Sequence, residues 1–349
     1  MPSGDALRVG VVGTGVFGRN HVRIYRDLQS DGAQRVQLVG VVDADFARAQ
    51  AVAGEFGTQA FRSVDELLAA DAQAASVAVP TLAHLTVARQ LMQNGVDVLI
   101  EKPLAATVAE ADELIYLAEK HGRIAQTGHL ERFNPAVRAT LPLLTQPMFF
   151  EVHRLSVFSQ RSLDVDVILD LMIHDIDIVL TFAKSAVKEV RAVGLPILSA
   201  KTDIANVRME FESGAVANFT ASRVSTERVR KLRFFQPRQY VSLDYSRQDV
   251  LVLTVDPLAP DQADLDPFDP ASVAASALPG ITPFKPAIEP QEPLRAELSS
   301  FLQGVRQRST PEVTLEDGRR ALAVATQIVE AIAEHSHRVR LPELTRAES

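Results

Sequence analysis

The sequence predicts an α/β protein: an N-terminal doubly wound parallel sheet, followed by an α+β domain on a mostly antiparallel sheet. Three observations carry this expectation. Up to about Thr127, short β-branched runs alternate with helical stretches, and residues 9–18 hold a glycine-spaced strand-to-helix turn. Beyond His129, the apolar residues fall into strict alternation instead. The first pattern signals βαβ units; the second signals hairpins.

Taken in order, the strands fall at Leu7–Val12, Val36–Val42, Ala75–Val79, Val96–Ile100 and Arg123–Thr127. Helical stretches run over Phe17–Leu28, Leu82–Asn94 and Val108–His121, the last two stopping at Gly95 and Gly122 as helix ends often do. Asn134-Pro135 opens a short helix reaching Leu144, with proline in the first turn. A hairpin follows: Val207, Met209 and Phe211 alternate with charged residues, Ser213-Gly214 turns, and Ala215, Ala217, Phe219 and Ala221 return. Strand text resumes at Val229–Phe235, Gln239–Asp244 and Asp249–Val255, and helices at Glu292–Arg308 and Leu315–Glu334 close the chain. Residues 256–293 hold nine of the nineteen prolines and read as an extended excursion. The expected division is residues 1–128 and 129–349.

With 349 residues, 46% of them apolar, the chain can bury two cores. A net charge of −8 argues against a general nucleic-acid binder, and the absence of cysteine removes disulfides and thiolate chemistry. The N-terminus lacks the basic-then-apolar order of a signal peptide. The most membrane-like stretch, Val165–Ala183, contains Asp166, Asp170, His174, Asp175 and Asp177, which lipid would not accept cheaply. A soluble, cytoplasmic protein with no membrane partner is expected.

The turn itself reads Gly13-Thr14-Gly15-Val16-Phe17-Gly18. Its first glycine permits the tight turn, its second lets backbone approach a pyrophosphate, and its third lets the helix pack closely on the sheet. Asp43, at the end of the second strand, stands where a carboxylate would accept from a ribose 2′-hydroxyl and repel a 2′-phosphate. The expected cofactor is therefore NAD. Ligands of such sheets lie beyond the carboxyl ends of the strands, where Pro80-Thr81-Leu82-Ala83-His84 and Glu101-Lys102-Pro103 emerge. Thr81 could equally cap the helix behind it, and Lys102 could be only a solvated charge.

On a regular helix, Asp166, Asp170, His174 and Asp177 share one stripe of an otherwise apolar surface, with Asp175 opposite. A satisfied structural network would explain them; a general acid/base unit, with Asp170 orienting His174, explains them better. Arg223, Arg228, Arg230, Lys231, Arg233 and Arg238 either decorate a solvated strand or include one or two that grip a diphosphate.

Gly13-x-Gly15-x-x-Gly18, Pro80-Thr81-x-x-His84, Glu101-Lys102-Pro103 and Asp170-x-x-x-His174, in that order, resemble the Gfo/Idh/MocA oxidoreductases over almost the whole chain. The resemblance implies a Rossmann domain, a second domain with an open, mostly antiparallel sheet, tightly held NAD(P) and a sugar or cyclitol substrate. Carried over by motif, Lys102, Asp170 and His174 are catalytic. Gly13 to Gly18, Asp43, Pro80, Thr81, His84, Glu101 and Lys102 hold the cofactor. Many members have a glycine-rich turn before the Asp-x-x-x-His helix, whereas Asp164-Val165-Asp166-Val167 stands here. The segments Thr127–Ala136 and Asp170–Asp177 are similar to the branch that oxidises the 3-hydroxyl of UDP-N-acetylglucosamine, whose keto product a pyridoxal-phosphate aminotransferase converts to the 3-amino sugar of amide-linked lipid A. On that likeness His129, Arg132, Asn134, Asp166 and Arg223 meet a nucleotide-sugar, and the second sheet forms a homodimer or homotetramer. Three alternatives stand beside it. One is a dehydrogenase of another sugar or inositol, and another a non-catalytic sugar and NAD sensor. The third, a metal-dependent hydrolase, is weak because nothing supplies a third ligand beside Asp170 and His174.

Overall fold

A computed structural model describes residues 6–32, 35–158, 165–255 and 280–339. The chain divides into two compact units, Met1–Phe133 with Gln291–Thr326, and Asn134–Pro290 with Gln327–Ser349.

In the first unit the order is β1 (Leu7–Val12), α1 (Val16–Ser30), β2 (Val36–Val42), α2 (Phe46–Phe56), β3 (Ala60–Phe61) and α3 (Val64–Ala69). It continues through β4 (Ala74–Val77), α4 (His84–Gln93), β5 (Asp97–Glu101), α5 (Val108–His121) and β6 (Ala125–Gly128). The strands lie in the order β3-β2-β1-β4-β5-β6, every neighbouring pair parallel. Strand order therefore reverses between β1 and β4, the point at which such sheets bind ligands. Local chemistry sets the helix ends. Asp45 accepts from the N–H groups of Ala47 and Arg48 to start α2, and Thr107 accepts from Glu110 N–H to start α5. Both helices end on a left-handed glycine, Gly57 and Gly122. The sequence places one boundary after residue 128. The core shows a return: Leu298, Phe301, Leu302 and Val305 of helix Pro293–Gln307 are buried with Ile24, Tyr25 and Leu28 of α1 and Leu99 of β5.

The second unit begins with α6 (Pro135–Thr140), capped by Asn134, and β7 (Phe149–Val157). A π-helical turn over Ile168–Met172 runs into α7 (Ile173–Ala183). Then come β8 (Val187–Leu195), β9 (Ile204–Phe211), β10 (Val216–Ser225), β11 (Val229–Gln236), β12 (Gln239–Asp244), β13 (Asp249–Val255) and β14 (Ile281–Phe284). Helix α8 is Pro293–Gln307; α9 is Leu315–Val339, its residues divided between the units after Thr326. The eight strands order as β14-β13-β12-β11-β7-β10-β9-β8, antiparallel throughout except that β7 and β10 run parallel. Phe150 and Phe234 pack beneath Phe182 of α7, with Phe234 ring centroids 5.9 Å and 5.8 Å from the other two. On the other face Phe149, Phe235 and Tyr240 form a ladder with centroids 5.6 Å and 5.1 Å apart.

The expected excursion over 256–293 is corrected in part. Residues 256–279 lie outside the described residues, but Ile281–Phe284 pairs with Val252–Val255 as a strand, and Pro293 opens α8. Proline at position 283 is tolerated because β14 is an edge strand.

Candidate active site

The glycine turn shows why each glycine is there. Gly13 has φ +92°, and a Cβ on it would lie 2.5 Å from the backbone of Ala78. A Cβ on Gly18 would overlap the Gly13 carbonyl oxygen, so α1 packs directly on the turn. A Cβ on Gly15 would meet nothing within 4 Å. Gly15 is thus required by neither backbone nor neighbour, and the open space beside it would admit a pyrophosphate. Gly15 is also the N-cap of α1 and offers no side chain to the first turn, so the N–H groups of Val16 to Gly18 are left for an anion. Val16 and Phe17 are 57% and 54% exposed, and Leu82, after β4, is 84% exposed. These side chains suit the apolar faces of a dinucleotide better than water.

Asp43 sits one residue past β2 and is committed to the turn. Its Oδ2 accepts from the backbone N–H and the hydroxyl of Thr14, both at 2.7 Å, and Oδ1 accepts from Asp45 N–H at 2.9 Å. Burial tends to raise its pKa, but these bonds and the nearby Arg48 outweigh that and hold it below the usual carboxylate range. The carboxylate that would bind a ribose therefore also fixes the turn that would bind the phosphates.

His84 is buried and braces two loops. Its Nδ1 faces the carbonyl oxygens of Pro103 and Leu104 at 3.0 Å and 3.2 Å, and its Nε2 faces that of Val79 at 3.0 Å. Burial lowers its pKa despite those acceptors. It joins the end of β4 to the turn carrying Lys102. Thr81 opens a single 3₁₀ turn, Thr81–Ala83, and makes no side-chain cap; Pro80 before it is exposed. The capping alternative for Thr81 is thereby corrected. Glu101, at the end of β5, points inward: its Oε1 accepts from His21 Nε2 of α1 at 2.9 Å. Burial pushes the carboxyl up, but His21 and Lys102 outweigh it and keep it below the ordinary range. Lys102 leaves the strand end on a cis bond to Pro103.

Of the residues expected at the substrate, His129 is buried after β6, and Arg132 lies 3.6 Å from Asp317 within the first unit. Asn134 caps α6 by accepting from Ala136 N–H at 3.1 Å, while its amide donates to the Tyr245 carbonyl at 3.0 Å. Asp166 accepts from Thr202 N–H at 2.9 Å. Arg223 is buried on β10, donating to the Val165 carbonyl and lying 3.6 Å from Asp203. Arg132, Asn134, Asp166 and Arg223 thus have structural partners inside their own unit.

Asp170 and His174 are half-buried in the second unit, on the π turn and the first turn of α7. The stripe read from the sequence assumed a regular helix. The wider i→i+5 turn breaks that register, and Asp177 is buried. Asp175 does face elsewhere, where a buried Arg154 from β7 grips it twice, at 2.6 Å and 3.0 Å. That fork fixes the rotation of α7 one residue from His174. Arg154 and His21 carried no functional signal in the sequence; each sits at an apolar-patterned position, and only its partner reveals it.

The first unit has the glycine turn, the free helix N-terminus and the strand-end groups of an NAD-dependent oxidoreductase. Residues 7–129 match the model of the oxidoreductase family with an NAD-binding Rossmann fold, and residues 145–238 match the GFO/IDH/MocA C-terminal domain. The chain belongs to the GFO/IDH/MocA oxidoreductase family. It is 35% identical over 327 residues to UDP-N-acetylglucosamine 3-dehydrogenase of Acidithiobacillus ferrooxidans, spanning 93% of this chain and 97% of that one. The solved structure of that enzyme, GnnA, matches with a TM-score of 0.82 at 34% identity, covering 94% and 98% of the two chains. Inositol 2-dehydrogenase 1 of Saccharopolyspora erythraea is 40% identical over 134 residues, 37% of this chain and 39% of its own. The chain is thus an oxidoreductase of that family with an NAD-binding Rossmann domain.

Proposed function

We propose that the protein oxidises the 3-hydroxyl of UDP-N-acetylglucosamine to the 3-ketone. The observation that supports this most is the end-to-end likeness to the Acidithiobacillus ferrooxidans enzyme, against a partial one to an inositol dehydrogenase. Bound NAD+ supplies the acceptor for the hydride that leaves the carbinol carbon. His174 takes the hydroxyl proton, held in orientation by Asp170. Lys102 hydrogen-bonds the same oxygen and stabilises the alkoxide as it develops. Asp43 keeps the glycine turn closed on the cofactor and favours NAD over its 2′-phosphorylated form. Arg228 and Arg230, beside and on β11, are candidates for the substrate diphosphate.

The Phe149–Phe235–Tyr240 ladder, half-buried except for the exposed Phe235, supports assembly as a homodimer or homotetramer through the second sheet. Among the described residues no helix is long and apolar enough to cross a membrane. We place the reaction in the cytoplasm, ahead of a pyridoxal-phosphate aminotransferase, since a 3-keto sugar is an acceptor for its amine. A substrate panel read by NADH absorbance tests the assignment: UDP-N-acetylglucosamine should outpace UDP-glucose and myo-inositol by at least about tenfold in kcat/KM, a difference near 1.4 kcal/mol. Preference for myo-inositol would overturn it.

A further inference from the structure

Glu297 has no part in the chemistry above. It lies on α8, the helix that returns from the C-terminal part of the chain to the first unit, and it is 0% exposed. Neither of its carboxylate oxygens has a hydrogen-bond partner among the described residues. An ionised carboxylate in such a place would be very costly, so burial alone demands the neutral acid. Glu101 faces it from β5, and Tyr25 from α1, the helix that also brings His21 to Glu101. Both burial and the Glu101 charge push the Glu297 carboxyl well above the usual range.

Glu101, whose side chain is 13% exposed, has further close neighbours. His21 Nε2 donates to it at 2.9 Å, and the Gly128 backbone lies so close that a Cβ there would be 3.0 Å from Oε1. Its Oε2 accepts from Lys102 N–H at 3.3 Å. His21 Nδ1 and both amide atoms of Gln126, which shares the Gly128 face of β6, are also buried without partners among the described residues. Buried polar groups thus lie on α1, β6 and α8, elements that pack around or pair with the strand ending at Lys102.

We propose that Glu297 is a positioning residue for Lys102: as a neutral acid it closes the back of Glu101, and with His21 it keeps that carboxylate turned inward and the strand end fixed. This rests on Lys102 acting as described above. A carboxyl protonated when folded and ionised when unfolded stabilises the fold less as pH rises past its unfolded pKa. In the full-length protein, thermal unfolding of wild type and Glu297→Gln should agree near pH 4. Wild type should fall behind as pH rises toward 8; parallel curves would overturn the proposal. Glu297→Ala should lower kcat by about tenfold or more, with NAD affinity within about twofold, and Glu297→Gln should recover most of the loss. Equal damage by both substitutions, or none by Glu297→Ala, would also overturn it. If instead Lys102→Met retained full kcat while the pH-dependent difference persisted, the lysine's role would fail and the neutral Glu297 would stand.

Discussion

Asp43 and Lys102 both end a parallel strand, yet they use the position differently. Asp43 spends its oxygens on Thr14 and Asp45, so its charge is part of the fold as well as of the cofactor site. Its pKa is depressed in the folded state. The stability it contributes is present above the ordinary aspartate pKa and is lost as pH falls through the lower folded value. Asp43→Asn should therefore destabilise the protein by about 1–3 kcal/mol at pH 7 and flatten the acid limb of its stability curve, as read by denaturant unfolding. Lys102, whose proposed role is at the reacting oxygen, should be removable without loss of cofactor. Lys102→Met should reduce kcat on the order of 10²–10⁴-fold while calorimetric NAD affinity stays nearly constant. Among single residues the sequence showed the motif positions but not their partners. Arg154 and His21 were invisible because a buried ion pair or imidazole bond is made across elements, and sequence spacing records only contacts within one.

The same limit explains the elements that went unseen. In β7 the inward series Phe150, Val152, Arg154 has a charge where alternation demands an apolar residue, and the charge is satisfied by Asp175. In β8 a register shift between Val187 and Glu189 puts the apolar residues out of period, so strand text reads as loop. β3 has only two residues, too few to show any period. The π turn matters more, because it sets where Asp170 stands relative to His174 and no periodicity count contains it. The glycine turn was legible because steric demands leave a sequence trace. Its three positions should separate on substitution. Gly13→Ala meets backbone at a positive φ and should cost stability. Gly15→Ala should leave the melting temperature unchanged while raising KM for NAD about tenfold or more, the loss of one favourable approach near 1.4 kcal/mol. Breaking the fork beside His174 with Asp175→Asn should destabilise the protein by about 3–5 kcal/mol in denaturant unfolding.

For the molecule as a whole, the order of strand and helix text gave both sheets and their classes, while the path of the chain through two units was hidden. Nothing in the residues of α8 says which core its apolar face joins; Leu298, Phe301, Leu302 and Val305 fit α1 and β5 of the first unit. Each such side chain contributes about 1.5–3 kcal/mol by burial, together comparable with the stability of a domain. A fragment of residues 1–133 should consequently lack a cooperative unfolding transition by circular dichroism, and one joined to residues 291–326 by a flexible linker should regain it. The central claim concerns a hydride leaving one carbon of one sugar. UDP-N-acetylglucosamine deuterated at C3, oxidised by the enzyme with NAD+, tests it directly by NMR of the reduced cofactor. The account predicts one deuterium at C4 of the dihydronicotinamide ring for each turnover; reduced cofactor free of deuterium, or none formed, would contradict it.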